Sequence, residues 1–260
     1  MAKRGLGKWT IWSGIVVYVF LYFPLAIVAV HSFKESSPNT EWFGFTTKWY
    51  NILFQNEQVV TAATHSLIIA FVSSLVSTTL GTLAGMALSR YKLRLLPALL
   101  LAPIAAPEIL IAVSLLLFFV VLDVTLGRVS IILAHVAFCI FVVALIVRSR
   151  LTSVDGNLVE AARDLGATPI QAFAQVTLPL IMPGIFAGAL LAFAFSINDF
   201  VITFFAGGPS ATTLPVKLYT MMKTGATPEV SAISTVLTLL TFLLFVIAYK
   251  MSPGLLRHNR

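Results

Sequence analysis

Residues 155–179 read DGNLVEAARDLGATPIQAFAQVTLP and separate two long apolar runs, in a chain of which only 10% is charged. Leu158, Ala161, Ala162 and Leu165 recur at i, i+3, i+4 and i+7, which lays an apolar stripe along one face of a helix. Glu160, Arg163 and Asp164 fall outside that stripe. Gly166 stops the helix, because glycine takes the left-handed conformation just past a helix end without a Cβ penalty. Thr168 then offers an N-cap hydroxyl ahead of Pro169, whose missing amide donor is not needed in a first turn. The stretch predicts two short helices around a glycine corner, a docking knob between two membrane segments. An amphipathic helix lying on the lipid surface is the alternative for the same stripe.

What surrounds the knob is apolar. The 260 residues are 58% hydrophobic with a mean hydropathy of +0.96. Soluble domains run at roughly 45–50% apolar and about 25% charged, so this excess does not fit in a single water-soluble core. A bilayer core of about 30 Å is crossed by roughly 20 helical residues. Segments 11–30, 66–89, 95–122, 130–147, 180–205 and 233–251 meet that length. The expectation is an all-α polytopic membrane protein with six transmembrane helices, built as one domain over 1–260. Lys3, Arg4 and Lys8 ahead of the first segment bring a signal peptide to mind. Its apolar run exceeds a usual h-region and no small-residue cleavage site follows, so a retained span is expected.

The net charge of +7 does not point to nucleic acid, because the basic residues stand at the ends of apolar segments. Lys3, Arg4, Lys8, Arg90, Lys92, Arg94, Arg148, Arg150, Arg163, Lys250, Arg257 and Arg260 sort to one side of the membrane. Lys34, Lys48, Arg128, Lys217 and Lys223 sort to the other. The excess of Lys and Arg marks the cytoplasmic side, which places both termini and the 155–179 knob inside the cell. On the outer side, Trp42, Trp49 and Tyr50 suit the membrane–water interface. Residues 214–223 suit a short amphipathic helix there.

Small residues form two stripes. Ala70, Ser74, Ser77, Gly81 and Gly85 share a face of the second span, and Gly184, Gly188 and Ala192 recur at four-residue steps in the fifth. Lipid supplies no hydrophobic drive between helices, so such stripes read as close-packing faces, with no partner helix assigned.

Charges within the spans are the informative exceptions, each costing at least about 2.5–3.5 kcal/mol at mid-bilayer. Glu108 falls near the middle of the third span, after Pro103 and Pro107, and Asp199 lies in the outer part of the fifth, beside Asn198. Asp123 at the outer end of the third span needs no special account. None of the six spans carries a deep Lys or Arg, so the interior attracts cations. Glu108, Asn198 and Asp199 are the candidates for a translocation path; a carboxyl bonded to a neighbouring helix is the plainer role open to them. The prolines before Glu108 break helix, and broken backbone at membrane depth is tolerated only against protein or a watery cavity. His135 and Cys139 stand at i and i+4, but two ligands do not make a zinc site, and a histidine bonded to a neighbouring helix is expected. No metalloprotease, nucleophile-elbow or Walker motif occurs, so no nucleotide site is expected in this chain.

The knob also carries a resemblance. Glu160-Ala161-Ala162, three residues, Gly166, nine residues and Val176-Thr177-Leu178-Pro179 are similar to the EAA loop of ABC-transporter permeases, with Val176 in place of the usual Ile. Gly44-Phe45-Thr46-Thr47-Lys48-Trp49-Tyr50 resembles the first periplasmic loop of spermidine/putrescine permeases. Ser196–Val201 resembles that family's SxDD stretch, with Asn198 where many members carry a second acid. Nearly the whole chain resembles this family. The resemblance implies a type I importer permease of the bacterial cytoplasmic membrane, not an enzyme itself. It further implies a second, related but different permease subunit and a periplasmic substrate-binding protein. Two cytoplasmic ATPases would bind the ATP and Mg2+. Glu160, Ala161, Ala162, Asp164, Leu165, Gly166, Ala167 and Pro169 would seat in a groove of the ATPase. The implied cargo is a polyamine, with an opine, thiamine or a metal ion as other solutes open to the same architecture. A secondary transporter driven by an ion gradient remains a rival on the buried carboxyls alone, though matched inverted repeats are missing.

Overall fold

The computed structural model describes residues 8–35, 44–91, 106–225 and 227–251. Lys3, Arg4, Trp42, Lys92, Arg94, Pro103, Arg257 and Arg260, and the first part of the third predicted span, lie outside the described residues. In chain order the elements are α1 (Lys8–His31), α2 (Lys48–Gln55), α3 (Glu57–Arg90), α4 (Glu108–Val121), α5 (Arg128–Thr152) and α6 (Asn157–Asp164). Then come α7 (Pro169–Ala172), a π turn (Phe173–Thr177), α8 (Leu178–Asn198), α9 (Val201–Ala206), α10 (Leu214–Thr224) and α11 (Pro228–Met251). Among the described residues, five helical stretches are long and apolar enough to cross a membrane: α1, α3, α5, the run from α7 through α8, and α11. The described part of the third span, α4, is a shorter apolar helix. By its contacts the chain divides into two compact units, Met1–Val60 with Leu218–Leu239, and Thr61–Lys217 with Leu240–Arg260.

In the larger unit, both small-residue stripes turn to α5. A Cβ on Gly81 would stand 2.7 Å from the carbonyl oxygen of Ile140 and from Cβ of Val143. One on Gly85 would stand 2.7 Å from the carbonyl of Ala144, and one on Gly188 would stand 3.2 Å from Val143 Cγ1. Gly81 and Gly85 are thus set against backbone carbonyls and Gly188 against a side chain, close approaches that let dispersion act over the helix face where lipid gives no drive to associate. The hydroxyl of Ser74 adds an interhelical hydrogen bond, donating to the Ala189 carbonyl at 2.7 Å. Val143, Ala144 and Val147 are fully buried as a result. Farther along α5, Ile131 and Ala134 form a second cluster with Ile69, Ala112, Phe119 and Ile202.

In the smaller unit, the stretch after α1 folds back on the loop before α2. Lys34 and Phe45 form an isolated antiparallel bridge, and the Phe33 and Phe45 rings stack at 5.1 Å. The expected interfacial aromatics have partners within the chain: Trp49 Nε1 donates to the Lys34 carbonyl at 2.7 Å, and the Tyr50 hydroxyl lies 2.7 Å from Ser32 Oγ. The second span starts earlier than hydropathy predicts. The side-chain oxygen of Asn56 accepts from the amides of Gln58 and Val59, a cap that starts α3 at Glu57 ahead of the apolar run. The amphipathic helix expected at 214–223 is present as α10.

Candidate functional site: a helical knob and a carboxyl pair

The knob is built as its residues dictate. Helix α6 ends at Asp164 and Gly166 follows at φ +90°. The Gly166 amide donates to the Arg163 carbonyl and the Ala167 amide to the Ala162 carbonyl, both at 3.0 Å. These are the paired bonds of a Schellman motif, which satisfies carbonyls that a helix end leaves open. Thr168 caps the next helix: its Oγ1 accepts from the Gln171 amide at 3.3 Å while Gln171 Oε1 accepts from the Thr168 amide at 2.9 Å. That reciprocal box needs Gln171, a partner the sequence reading passed over although it stands at the capping-box position. Glu160, Ala161, Asp164, Leu165, Gly166 and Pro169 are exposed, and Ala162 and Ala167 are half-buried. Leu165 is 90% and Ile170 79% exposed.

The second short helix runs on into the membrane segment. From α7 the chain passes through the π turn into α8 without leaving helical conformation. The Leu178 amide donates to the Phe173 carbonyl, five residues back. Pro179 and Pro183 contribute no amide hydrogen, and a wider turn beside them carries the backbone into the membrane segment. Residues 169–198 are thus one rod of 30 residues, about 45 Å long at 1.5 Å per residue. Helix α5 grips its base, with Arg150 Nε donating to the Leu180 carbonyl at 3.1 Å. The Arg150 stem lies 2.9 Å from where a Gly184 Cβ would be.

At its other end the rod corrects the predicted fifth span. Helix continues to Asn198, but Asp199 is extended at φ −65°, ψ 127° and a new helix starts at Val201. The cause is local: Asp199 Oδ1 accepts from the amide and the hydroxyl of Thr203, at 2.8 and 2.9 Å. A short acidic side chain offers the backbone an alternative to the helical ladder. His135 of α5 completes the group. Its Nε2 lies 3.1 Å from Asp199 Oδ1 and from Thr203 Oγ1, and its Nδ1 lies 2.7 Å from Ser196 Oγ. The side chains of His135 and Asp199 are 2% and 8% exposed.

Helix α4 starts after the second proline, as a proline break requires. Pro107 is the N-cap, at φ −57°, ψ 129°, and Glu108 opens α4. Glu108 is exposed, and its carboxyl lies near that of Asp199. Two predicted path residues therefore meet. Asn198 is engaged elsewhere: its Nδ2 donates to the Ala194 carbonyl at 2.7 Å and its Oδ1 accepts from the Thr241 hydroxyl at 3.0 Å. His135, Ser196 and Thr203 were not among the predicted site residues. Ser196, Asp199 and Thr203 are spaced i, i+3 and i+7, a one-face signal that was available. Cys139 donates weakly to the Ala192 carbonyl at 3.7 Å, and no group of three metal-ligating side chains occurs among the described residues.

The knob is thus joined by one helical rod to a buried acid. Residues 77–256 match the family of binding-protein-dependent transport system inner membrane components.

The chain belongs to this family.

The permease is 41% identical over 222 residues, 84% of each chain, to the spermidine/putrescine transport system permease protein PotC of Escherichia coli (strain K12). It is 38% identical over 237 residues to the putrescine transport system permease protein PotI of the same strain, covering 87% of this chain and 84% of that one. Among solved structures it is similar to a chain of a bacterial ABC transporter involved in the import of the acidic polysaccharide alginate. The TM-score is 0.67 at 18% identity, over 97% of both chains. It is also similar to a chain of the MetNI methionine ABC transporter, with a TM-score of 0.63 at 22% identity, over 76% of this chain and 96% of that one. The fold is that of a type I ABC-importer permease. The permease is a non-catalytic inner-membrane subunit of an ABC importer, a family in which partner subunits handle ATP.

Proposed function

We propose that this permease forms half of the path by which a polyamine, spermidine or putrescine, crosses the bacterial cytoplasmic membrane. A periplasmic binding protein delivers the cargo, a related but different permease completes the path, and two cytoplasmic ATPases bind ATP and Mg2+. The observation that carries the reading is the meeting of Glu108 and Asp199. Two neighbouring carboxyls repel as anions and are relieved by a shared proton or a cation, and an ammonium group from the cargo is such a cation. Kinship with PotC and PotI supports an amine.

The remainder of the mechanism follows from the rod. The knob, with both termini on the cytoplasmic side, seats Glu160, Ala161, Ala162, Asp164, Leu165, Gly166, Ala167 and Pro169 against an ATPase. Exposed Leu165 and Ile170 supply apolar anchors for that contact. ATP draws the ATPases together, and the rod transmits the movement to Asp199 at its far end. ATP shifts the equilibrium only because it binds the closed ATPase pair more tightly. The test is uptake by the assembled transporter in proteoliposomes. ATP-dependent accumulation of spermidine or putrescine, competed by other diamines and not by neutral solutes of the same length, is expected. Accumulation of a neutral or anionic solute instead would refute the cargo assignment.

A further inference from the structure

Three donors converge on one oxygen of Asp199: His135 Nε2, the Thr203 amide and the Thr203 hydroxyl, all directed at Oδ1. A carboxylate oxygen has two lone-pair directions, so Oδ1 is saturated, and Oδ2 takes none of these three bonds. The imidazole is itself held from behind by Ser196 Oγ at 2.7 Å. An Nε2–H that donates to Asp199, with Nδ1 bonded to the Ser196 hydroxyl, satisfies both ring nitrogens.

We propose that His135 is the positioning residue of the cation path, pinning Oδ1 of Asp199 so that Oδ2 is the oxygen presented to an incoming ammonium beside Glu108. The inference rests on the carboxyl-pair reading above. His135 touches no cargo; it acts through Asp199. Asp199 is an extended residue between the end of α8 and the start of α9, and the two hydrogen bonds of Thr203 tie its carboxylate only to the helix that follows it, α9. His135 comes from α5, the helix against which both glycine stripes pack, so it references the acid to the most buried part of the unit. Ser196 belongs to the arrangement because it fixes the ring face that His135 presents.

The experiment measures spermidine binding by calorimetry to the purified permease complex with its ATPases in nanodiscs. His135→Gln retains an N–H near the place of Nε2 and is expected to keep the Kd within about threefold of the wild type. His135→Leu fills the volume without a donor and is expected to weaken binding about tenfold or more. Equal weakening by Gln and Leu would overturn the positioning role, since the donor would then be irrelevant. Unchanged binding in His135→Leu, with Asp199→Asn weakened, would overturn it too while leaving the carboxyl path intact. Unchanged binding in Asp199→Asn would remove the path itself. If His135→Leu does not assemble, Ser196→Ala, which loses one hydroxyl, is expected to weaken binding about threefold, and a wild-type Kd there refutes the role.

Discussion

The amide of Ala167 reaches the carbonyl of Ala162 at 3.0 Å, closing a loop that only a left-handed residue between them permits. Gly166 is that residue, at φ +90° with open space where a Cβ would be. Any cost of substitution there comes from the backbone and not from a clash. Gly166→Val is expected to strain the corner by about 1–2 kcal/mol and to lower transport per ATP hydrolysed, with normal insertion into the membrane. Gly166→Asn, whose residue visits this conformation more readily, is expected to retain more. Coupling assays on both variants decide it; full coupling in Gly166→Val would count against the knob as the point of force entry.

The glycines facing α5 fail differently. Gly81→Val brings a side chain to 2.7 Å from Ile140 and Val143, an overpacking expected to destabilise the fold by about 1–3 kcal/mol. Gly14→Ala meets nothing within 4 Å and serves as the control. Thermal melting of the detergent-solubilised protein should fall in the first and stay level in the second.

Asp199→Asn keeps shape and hydrogen-bond capacity but removes the charge. Losing a charged hydrogen bond of about 1.5–3 kcal/mol corresponds to a fall in spermidine affinity of roughly tenfold to a hundredfold. Glu108→Gln is expected to act in the same direction but more weakly, since Glu108 is exposed and its interactions are screened. Binding measured on each single variant and on the double gives their coupling, which should be nonzero for groups in contact.

Trp49→Phe removes the indole donor from the Lys34 carbonyl at 2.7 Å while keeping most of the apolar ring. A loss of about 1 kcal/mol is expected, read as faster proteolysis of the segment joining α1 to α2. An unchanged proteolysis rate would mean that this bond is not what holds the fold-back.

Much of this was legible in the sequence because it depends on short-range rules. The Gly166 corner, the Thr168 cap and the glycine stripes follow from the conformational freedom and size of single residues. What escaped depends on ψ or on a distant chain. Hydropathy reads VITFFA after Asp199 as more membrane helix and is blind to the ψ of 127° that interrupts it. The break before Glu108, by contrast, was legible from Pro107, and Glu108 stands first in α4. The His135 cluster joins residues 61 and more apart, which no local period encodes. The π turn was hidden because its composition, FAQVT, suits an ordinary helix equally well.

The interruption at Asp199 also bears on how a cargo sheds water. A helix that stops leaves its final carbonyl oxygens without amide partners and its negative pole uncovered. An ammonium stripped of its hydration shell at this level would find backbone oxygens of the terminating turn as well as carboxylates. On the proposed path these main-chain oxygens would stand in for water around a dehydrated cation, and Asn198 in place of a second acid would leave them available.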